Sequence, residues 1–174
     1  LPSAGNIGGG GFMVAHVGGE RYALDSRETA PAAASRDMYL DARGSTGDRS
    51  ITGHLASGVP GSVAGLWAAH QKLGSKPWAS LVAPAIRLAE DGFAIDDYAA
   101  MVIRSEADRL RKFPASAALY TPGGTPLATG ARLVNPDLAR ALRRIAEQGR
   151  DGFYKCETAS LLVAEMKRGK GIIT

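Results

Sequence analysis

Only one of the 174 residues is a cysteine, Cys156, so no internal disulfide can form and the redox compartment stays open. A lone thiol needs a neighbouring base to act as a nucleophile, and the sequence shows none for it. Cys156 therefore reads as a small buried residue. Histidine is scarce too: His16, His54 and His70 lack metal-ligand spacing, and neither a CxxC nor an HExxH occurs. No metal or other cofactor is expected. No window approaches the ~18 uncharged apolar residues of a membrane span. Leu1-Pro2-Ser3 lacks the basic start and apolar segment of a signal peptide, so any leader would lie upstream. Excess charge is small, 21 basic against 17 acidic residues. The basic clusters, Arg109/Arg111/Lys112, Arg140/Arg143/Arg144 and Lys167/Arg168/Lys170, fall on separate predicted helices with no aromatic platform between them. They read as solvated helix faces, not as contacts to nucleic acid.

Apolar residues make up 45% of the chain, in the globular range, and the length suits one domain with a sizeable core. The first segment predicts a hairpin. Phe12 to Val17 is apolar enough for a strand buried on both faces, Gly18-Gly19-Glu20 is turn chemistry, and Arg21 to Leu24 returns. Such a strand expects helices over it and more strands beside it. Residues 31–54 read as a long surface loop. A helix is predicted over 58–73, with Pro60 in its first turn, Gly74 as its stop, and Val63, Leu66, Trp67, His70 and Leu73 on one face. The apolar repeat from Trp78 to Ala89 predicts another, which Pro84 must kink or split. Asp96 or Asp97 can cap a helix running toward Lys112, with Pro114 past its end.

Thr121-Pro122-Gly123-Gly124 is a turn, and Arg132-Leu133-Val134 predicts a short strand. Asn135-Pro136 starts a helix striped by Leu138, Leu142, Ile145 and Ala146 and ended by Gly149. The last helix, about 157–168, buries Leu162, Val163 and Met166, and Gly171 to Thr174 reads as the opening of a further element. A hairpin followed mainly by helices cannot complete a sheet. The order therefore predicts an α+β fold of which residues 1–174 form a single partial domain, with a glycine loop and hairpin over 1–31 and a mainly helical part over 58–170.

Gly8 to Gly11 is a run of four glycines. No Gly-Lys-Ser/Thr follows it, and it leads into a strand, which excludes a Walker loop and a dinucleotide fingerprint. An anion cradle remains open. The preferred reading is a close backbone approach where a Cβ would clash. Arg27 is the candidate binding residue. In extended chain Arg27 and Glu28 point to opposite sides and do not neutralise each other. A guanidinium just past a strand end can grip a carboxylate in a bidentate fork. On residue physics alone a structural ion pair is preferred for Arg27. Asp25 can cap the turn or pair with a base, while Glu90/Asp91 and Asp96/Asp97 suit helix ends better than acid–base work. Ser62 lies outside any Gly-x-Ser-x-Gly elbow, and no Ser-His-Asp set assembles.

Several stretches together resemble the large subunit of γ-glutamyltranspeptidases, which are N-terminal-nucleophile hydrolases. They are Gly5 to Phe12, Asp25-Ser26-Arg27-Glu28-Thr29-Ala30-Pro31, Ser57 to Leu66, Pro84 to Phe93, Asn135 to Ala139, Gly152-Phe153-Tyr154 and Gly171 to Thr174. The resemblance runs almost end to end and is specific in order and spacing. It implies a four-layer αββα sandwich shared by a large and a small subunit of one precursor, to which this chain gives one hairpin and several covering helices. It implies that Arg27 binds the α-carboxylate of a γ-glutamyl group, which reverses the preference just stated, and that the glycine run is structural. The implied reaction cleaves γ-glutamyl amides such as glutathione and passes the acyl group through a threonine to water or to an amine.

That threonine would begin the small subunit, which also carries the oxyanion hole, so no catalytic residue is expected here and this chain is expected to be inactive alone. Bacterial members are usually exported, which implies a periplasmic or secreted enzyme. Two alternatives stand beside this reading: a cephalosporin-acylase-like amidase acting on glutaryl side chains, and a non-catalytic carboxylate-binding or interaction module. An open sheet edge and bare apolar helix faces also predict self-association.

Overall fold

The computed structural model describes residues 4–174, except the side chain of Cys156; the burial expected for Cys156 thus lies outside the described residues. The chain divides into two compact units, residues 76–147 and residues 4–75 with 148–174.

In the second unit, β1 (Phe12–Val17) and β2 (Glu20–Asp25) pair antiparallel from Phe12↔Asp25 to Val17↔Glu20. Gly18 and Gly19 join them, both at positive φ (61° and 85°), the backbone that a two-residue hairpin turn demands. The hairpin stands as expected, but the expected burial of β1 on both faces does not. Met13 and Ala15 are half-buried, whereas Phe12 and Val14 are 69% and 85% exposed. A two-stranded sheet has no layer to set against that second face.

Residues 31–53 run as turns. In one of them the Asp41 carboxylate accepts from the Arg43 and Ser45 amides at 2.8 and 2.9 Å, and these bonds hold its pKa below the usual carboxylate value. A single 3-10 turn, His54–Ala56, follows. Helix α1 (Ser62–Leu73) then begins two residues past Pro60 and not around it. The backbone before it is already committed: Thr29 and Val59 exchange amide–carbonyl bonds of 3.2 and 2.8 Å. Within α1, Val63 and Gly65 are buried, while Leu66 of the expected stripe is 52% exposed. Helices α7 (Asp151–Tyr154) and α8 (Cys156–Arg168) complete this unit. Leu162, Val163 and Met166 are half-buried. Residues 171–174 form neither helix nor strand, contrary to the element expected there; Ile173 is buried, and the Gly171 amide returns to Met166 O at 2.7 Å.

In the first unit, α2 (Trp78–Asp91) continues through Pro84 as one helix. The carbonyl that Pro84 leaves without its amide donor is that of Ser80, and both residues lie exposed, where solvent can reach the backbone. Asp96 caps α3 (Asp97–Ser105), its Oδ1 accepting from Ala99 N at 2.7 Å. The helix expected to run on to Lys112 is interrupted at Glu106, resumes as α4 (Ala107–Leu110), and is followed by α5 (Pro114–Tyr120). Pro114 opens α5, where its missing N–H costs nothing. The strands β3 (Phe93–Ala94) and β4 (Arg132–Leu133) pair antiparallel. Asn135 Oδ1 accepts from Leu138 N at 3.0 Å at the head of α6 (Pro136–Gln148), as the Asn-Pro start predicts. Ile95, Ala99, Ala100, Ile103 and Leu133 form a buried cluster. Trp78 donates its indole N–H to Ile145 O at 2.8 Å, tying α2 to α6.

Candidate functional site

The site is built on the three residues that follow β2. Asp25 Oδ1 accepts from Arg27 N at 2.9 Å, so Asp25 caps the turn that leaves the strand. Ser26 is pinned on every polar atom. Its amide donates to Gly11 O at 2.8 Å, its carbonyl accepts from Gly11 N at 3.2 Å, and its hydroxyl donates to Gly11 O at 3.0 Å.

Glycines crowd this segment from two directions. A Cβ on Gly10 would stand 2.5 Å from Ser26 O and 2.8 Å from Arg27 Cα. One on Gly61 would stand 2.2 Å from Ser26 O, and one on Gly65 would stand 2.3 Å from Ser26 Cβ. Contacts under 3.0 Å to backbone cannot be relieved by rotating a side chain, so these positions exclude any other residue without backbone movement. Within the glycine run the close backbone approach preferred from the sequence is made at Gly10, while a Cβ on Gly11 would meet nothing within 4 Å. The Gly9 carbonyl takes the amides of Gly61 and Ser62, at 2.8 and 2.9 Å, which joins the loop to the head of α1. Ser62 Oγ donates to Asn6 O at 3.0 Å, a structural bond and not that of a nucleophile.

Arg27 emerges from this frame with its side chain 62% exposed. Its guanidinium carbon lies 5.6 Å from the centre of the Phe12 ring. Contrary to the expectation of opposite sides, Arg27 Nε donates to Glu28 Oε2 at 3.4 Å. The chain has left β2 at this point, and the Asp25 carboxylate holds the Arg27 amide. The pair is long and exposed, and it engages only Nε. Among the described residues Nη1 and Nη2 make no hydrogen bond, which leaves the outer edge of the fork for a ligand. Beside it, an open cleft of about 320 Å³ is lined by Glu28, Thr29, Ala30 and Pro31 and, across from them, by Met38, Tyr39, Ser57 and Gly58.

Tyr154, Gly61 and Gly65 belong to this site and were not singled out as site residues in the sequence. The spacing of Gly61 and Gly65 was the available signal, because positions i and i+4 share one helix face. Tyr154 donates to Pro60 O at 2.7 Å and accepts from Ala64 N at 3.3 Å, a pairing that no local pattern announces.

The remaining candidates lie apart from Arg27 in role. Glu90 pairs with Arg143, and Asp97 accepts from Thr129 Oγ1 at 2.7 Å. The arginines of the basic clusters meet acids on the helix surfaces, Arg109 with Glu106, Arg111 with Asp108, Arg140 with Asp137 and Arg168 with Glu165. His54 Nε2 lies 2.7 Å from Glu165 Oε1, and Arg168 and His54 together hold the Glu165 carboxyl down to about 2. Among the described residues no group of three or more His, Cys, Asp or Glu could hold a metal ion, and no helix is long and apolar enough to cross a membrane.

Comparison with known proteins adds to this geometry. A glutathione hydrolase proenzyme of Pseudomonas aeruginosa is 46% identical over 99% of the chain, which spans 30% of that protein's length. The crystal structure of Helicobacter pylori gamma-glutamyltranspeptidase superposes with a TM-score of 0.96 at 42% identity, over 99% of this chain and 50% of that one. A cephalosporin acylase from Bacillus halodurans superposes with a TM-score of 0.86 at 23% identity, a likeness of fold alone. The family model described as Gamma-glutamyltranspeptidase matches residues 1–174, and the chain belongs to that family, with its N-terminal-nucleophile hydrolase fold.

Proposed function

We propose that this chain supplies the α-carboxylate grip of an enzyme that cleaves γ-glutamyl amides such as glutathione. Arg27 is the gripping residue, and the free outer edge of its guanidinium is the observation that carries the reading. A rigid backbone frame fixes where the guanidinium emerges, and a planar fork matches a carboxylate through two parallel N–H···O bonds. The glutathione hydrolase and gamma-glutamyltranspeptidase relatives support the substrate class.

In this reading the acyl group passes to a threonine on a small subunit of the same precursor, and from there to water or to an amino acid or peptide amine. That subunit is the chain's partner, its free N-terminal amine acting as base. The enzyme is exported, to the periplasm or beyond.

The test is release of a chromogenic amine from a γ-glutamyl anilide by the complete protein, unaltered and as Arg27→Lys. Lysine keeps the charge and loses the fork, at a cost of about 1.5–3 kcal/mol for the charge-assisted bond, so KM is expected to rise about 10- to 100-fold. An unchanged KM removes Arg27 from the site. A preference for a glutaryl anilide points instead to the acylase-like reading, and turnover of neither substrate points to a binding module.

A further inference from the structure

We infer that Tyr154 is a positioning residue for Arg27, acting through the first turn of α1; this inference rests on the substrate-binding reading of Arg27. The first amides of a helix have no partner inside it, and the residue before α1 is Gly61, which has no side chain to offer them. The chain meets this need from outside. Gly9 O takes the Gly61 and Ser62 amides, and Tyr154 Oη takes that of Ala64 while donating its own proton to Pro60 O. One phenol therefore spans the turn from Pro60 to Ala64, replacing a capping side chain with a residue some ninety positions away.

The same turn is the wall against which Ser26 and Arg27 rest. Gly61 and Gly65 meet the Ser26 backbone and side chain with no room for a methyl group. A shift of α1 at this end is thus passed to the Arg27 backbone, because the contact has no slack to absorb it. Tyr154 is itself held: its ring meets Phe153 edge-on at 5.0 Å, and the Arg150 guanidinium lies 4.9 Å from its centre. Partial burial raises its pKa, so the phenol keeps the proton that it donates. The ring contacts do not involve Oη, and removal of that atom alone isolates the cap.

The experiment is a double-mutant cycle in the complete protein, read as kcat and KM for a γ-glutamyl anilide. Tyr154→Phe keeps the ring and deletes two hydrogen bonds. It is expected to raise KM about fivefold to tenfold with kcat within about twofold. In an Arg27→Gln background the same change is expected to add nothing, since the group it positions is gone. Thr158→Val is the stability control: Thr158 donates to Gly152 O at 2.7 Å, a bond outside the turn from Pro60 to Ala64, and its loss is expected to leave KM unaltered.

Normal KM in Arg27→Gln sinks the substrate-binding reading whatever Tyr154→Phe does. Impaired Arg27→Gln with a normal Tyr154→Phe, or with a full additional loss in the double variant, overturns the Tyr154 inference alone. An equal rise in KM from Thr158→Val does so too. Should Tyr154→Phe not accumulate, Tyr154→His, which also withdraws Oη, is read in the same cycle.

Discussion

The frame around Arg27 and the cluster around Ile103 are two opposite ways of making a protein interior. The cluster is filled by side chains: Ile95, Ile103 of α3 and Leu133 of β4 are buried with Ala99 and Ala100, and Phe93 and Leu127 pack against them. The frame is filled by backbone. Gly10 and Gly61 let main chain touch main chain, Gly65 admits the Ser26 side chain, and hydrogen bonds to Gly9 and Gly11 hold what side chains would otherwise hold. A side-chain core tolerates shape changes that conserve volume, because rotamers readjust. A glycine frame cannot readjust, and for that reason it fixes a protruding guanidinium closely. The first device serves stability; the second serves position at a cost in backbone entropy.

Substitutions separate the two. Ile103, 1% exposed, is expected to lose about 2–5 kcal/mol when cut to alanine, through lost burial and the cavity left behind. Denaturant unfolding of the complete protein reads that loss, and KM for a γ-glutamyl anilide is expected to stay put. A KM that moves with Ile103 would mean that the two regions are not independent. Gly61→Ala is the converse. It adds a methyl group 2.2 Å from a carbonyl oxygen and is expected to cost about 1–3 kcal/mol, with a raised KM as the mark that Arg27 has moved. Lost stability at a constant KM would reduce the frame to ordinary packing.

The smallest effect lies at Glu165, on α8. Its folded-state pKa, about 2, lies below the ordinary carboxylate value of 4.5, first through the Arg168 bond and then through His54. A depressed carboxylate adds stability above the unfolded pKa and loses it as pH falls through the folded one. The gain is small and weakened by salt, because this carboxylate is 48% exposed. Glu165→Gln is therefore expected to be slightly less stable than the parent at pH 6, with the gap closing between about 4.5 and 2. A gap that persists at pH 2 would assign the difference to something other than charge.

Local chemistry was readable where neighbours along the chain decide the outcome. Gly18-Gly19 makes the hairpin turn, Asp96 and Asn135-Pro136 start helices, and Gly149 at a φ of 59° ends one. Each outcome is set within about four residues. The reading that assumed continued periodicity failed at Glu106, where a helix breaks without a proline, and at Pro84 the alternative of a split failed, since α2 runs through it. Arg27 was chosen as the binding residue by its place after a strand and by its surrounding motif, and that role stays a proposal. Its pairing with Glu28 was not expected, because side-chain reach between neighbours depends on backbone angles that the sequence does not carry.

By itself the sequence determined the hairpin, the starts of α2, α3, α6 and α8, the scarcity of cysteine and histidine, and the family. All of these are written in adjacent residues or in ordered motifs. Only the tertiary structure decided that Gly61 and Gly65 close on Ser26, that Gly9 and Tyr154 cap α1, and that Phe12 and Val14 lie bare on a two-stranded sheet. Those contacts join residues from about 35 to 94 positions apart or depend on which layers are present. A one-dimensional pattern carries no distances across that range.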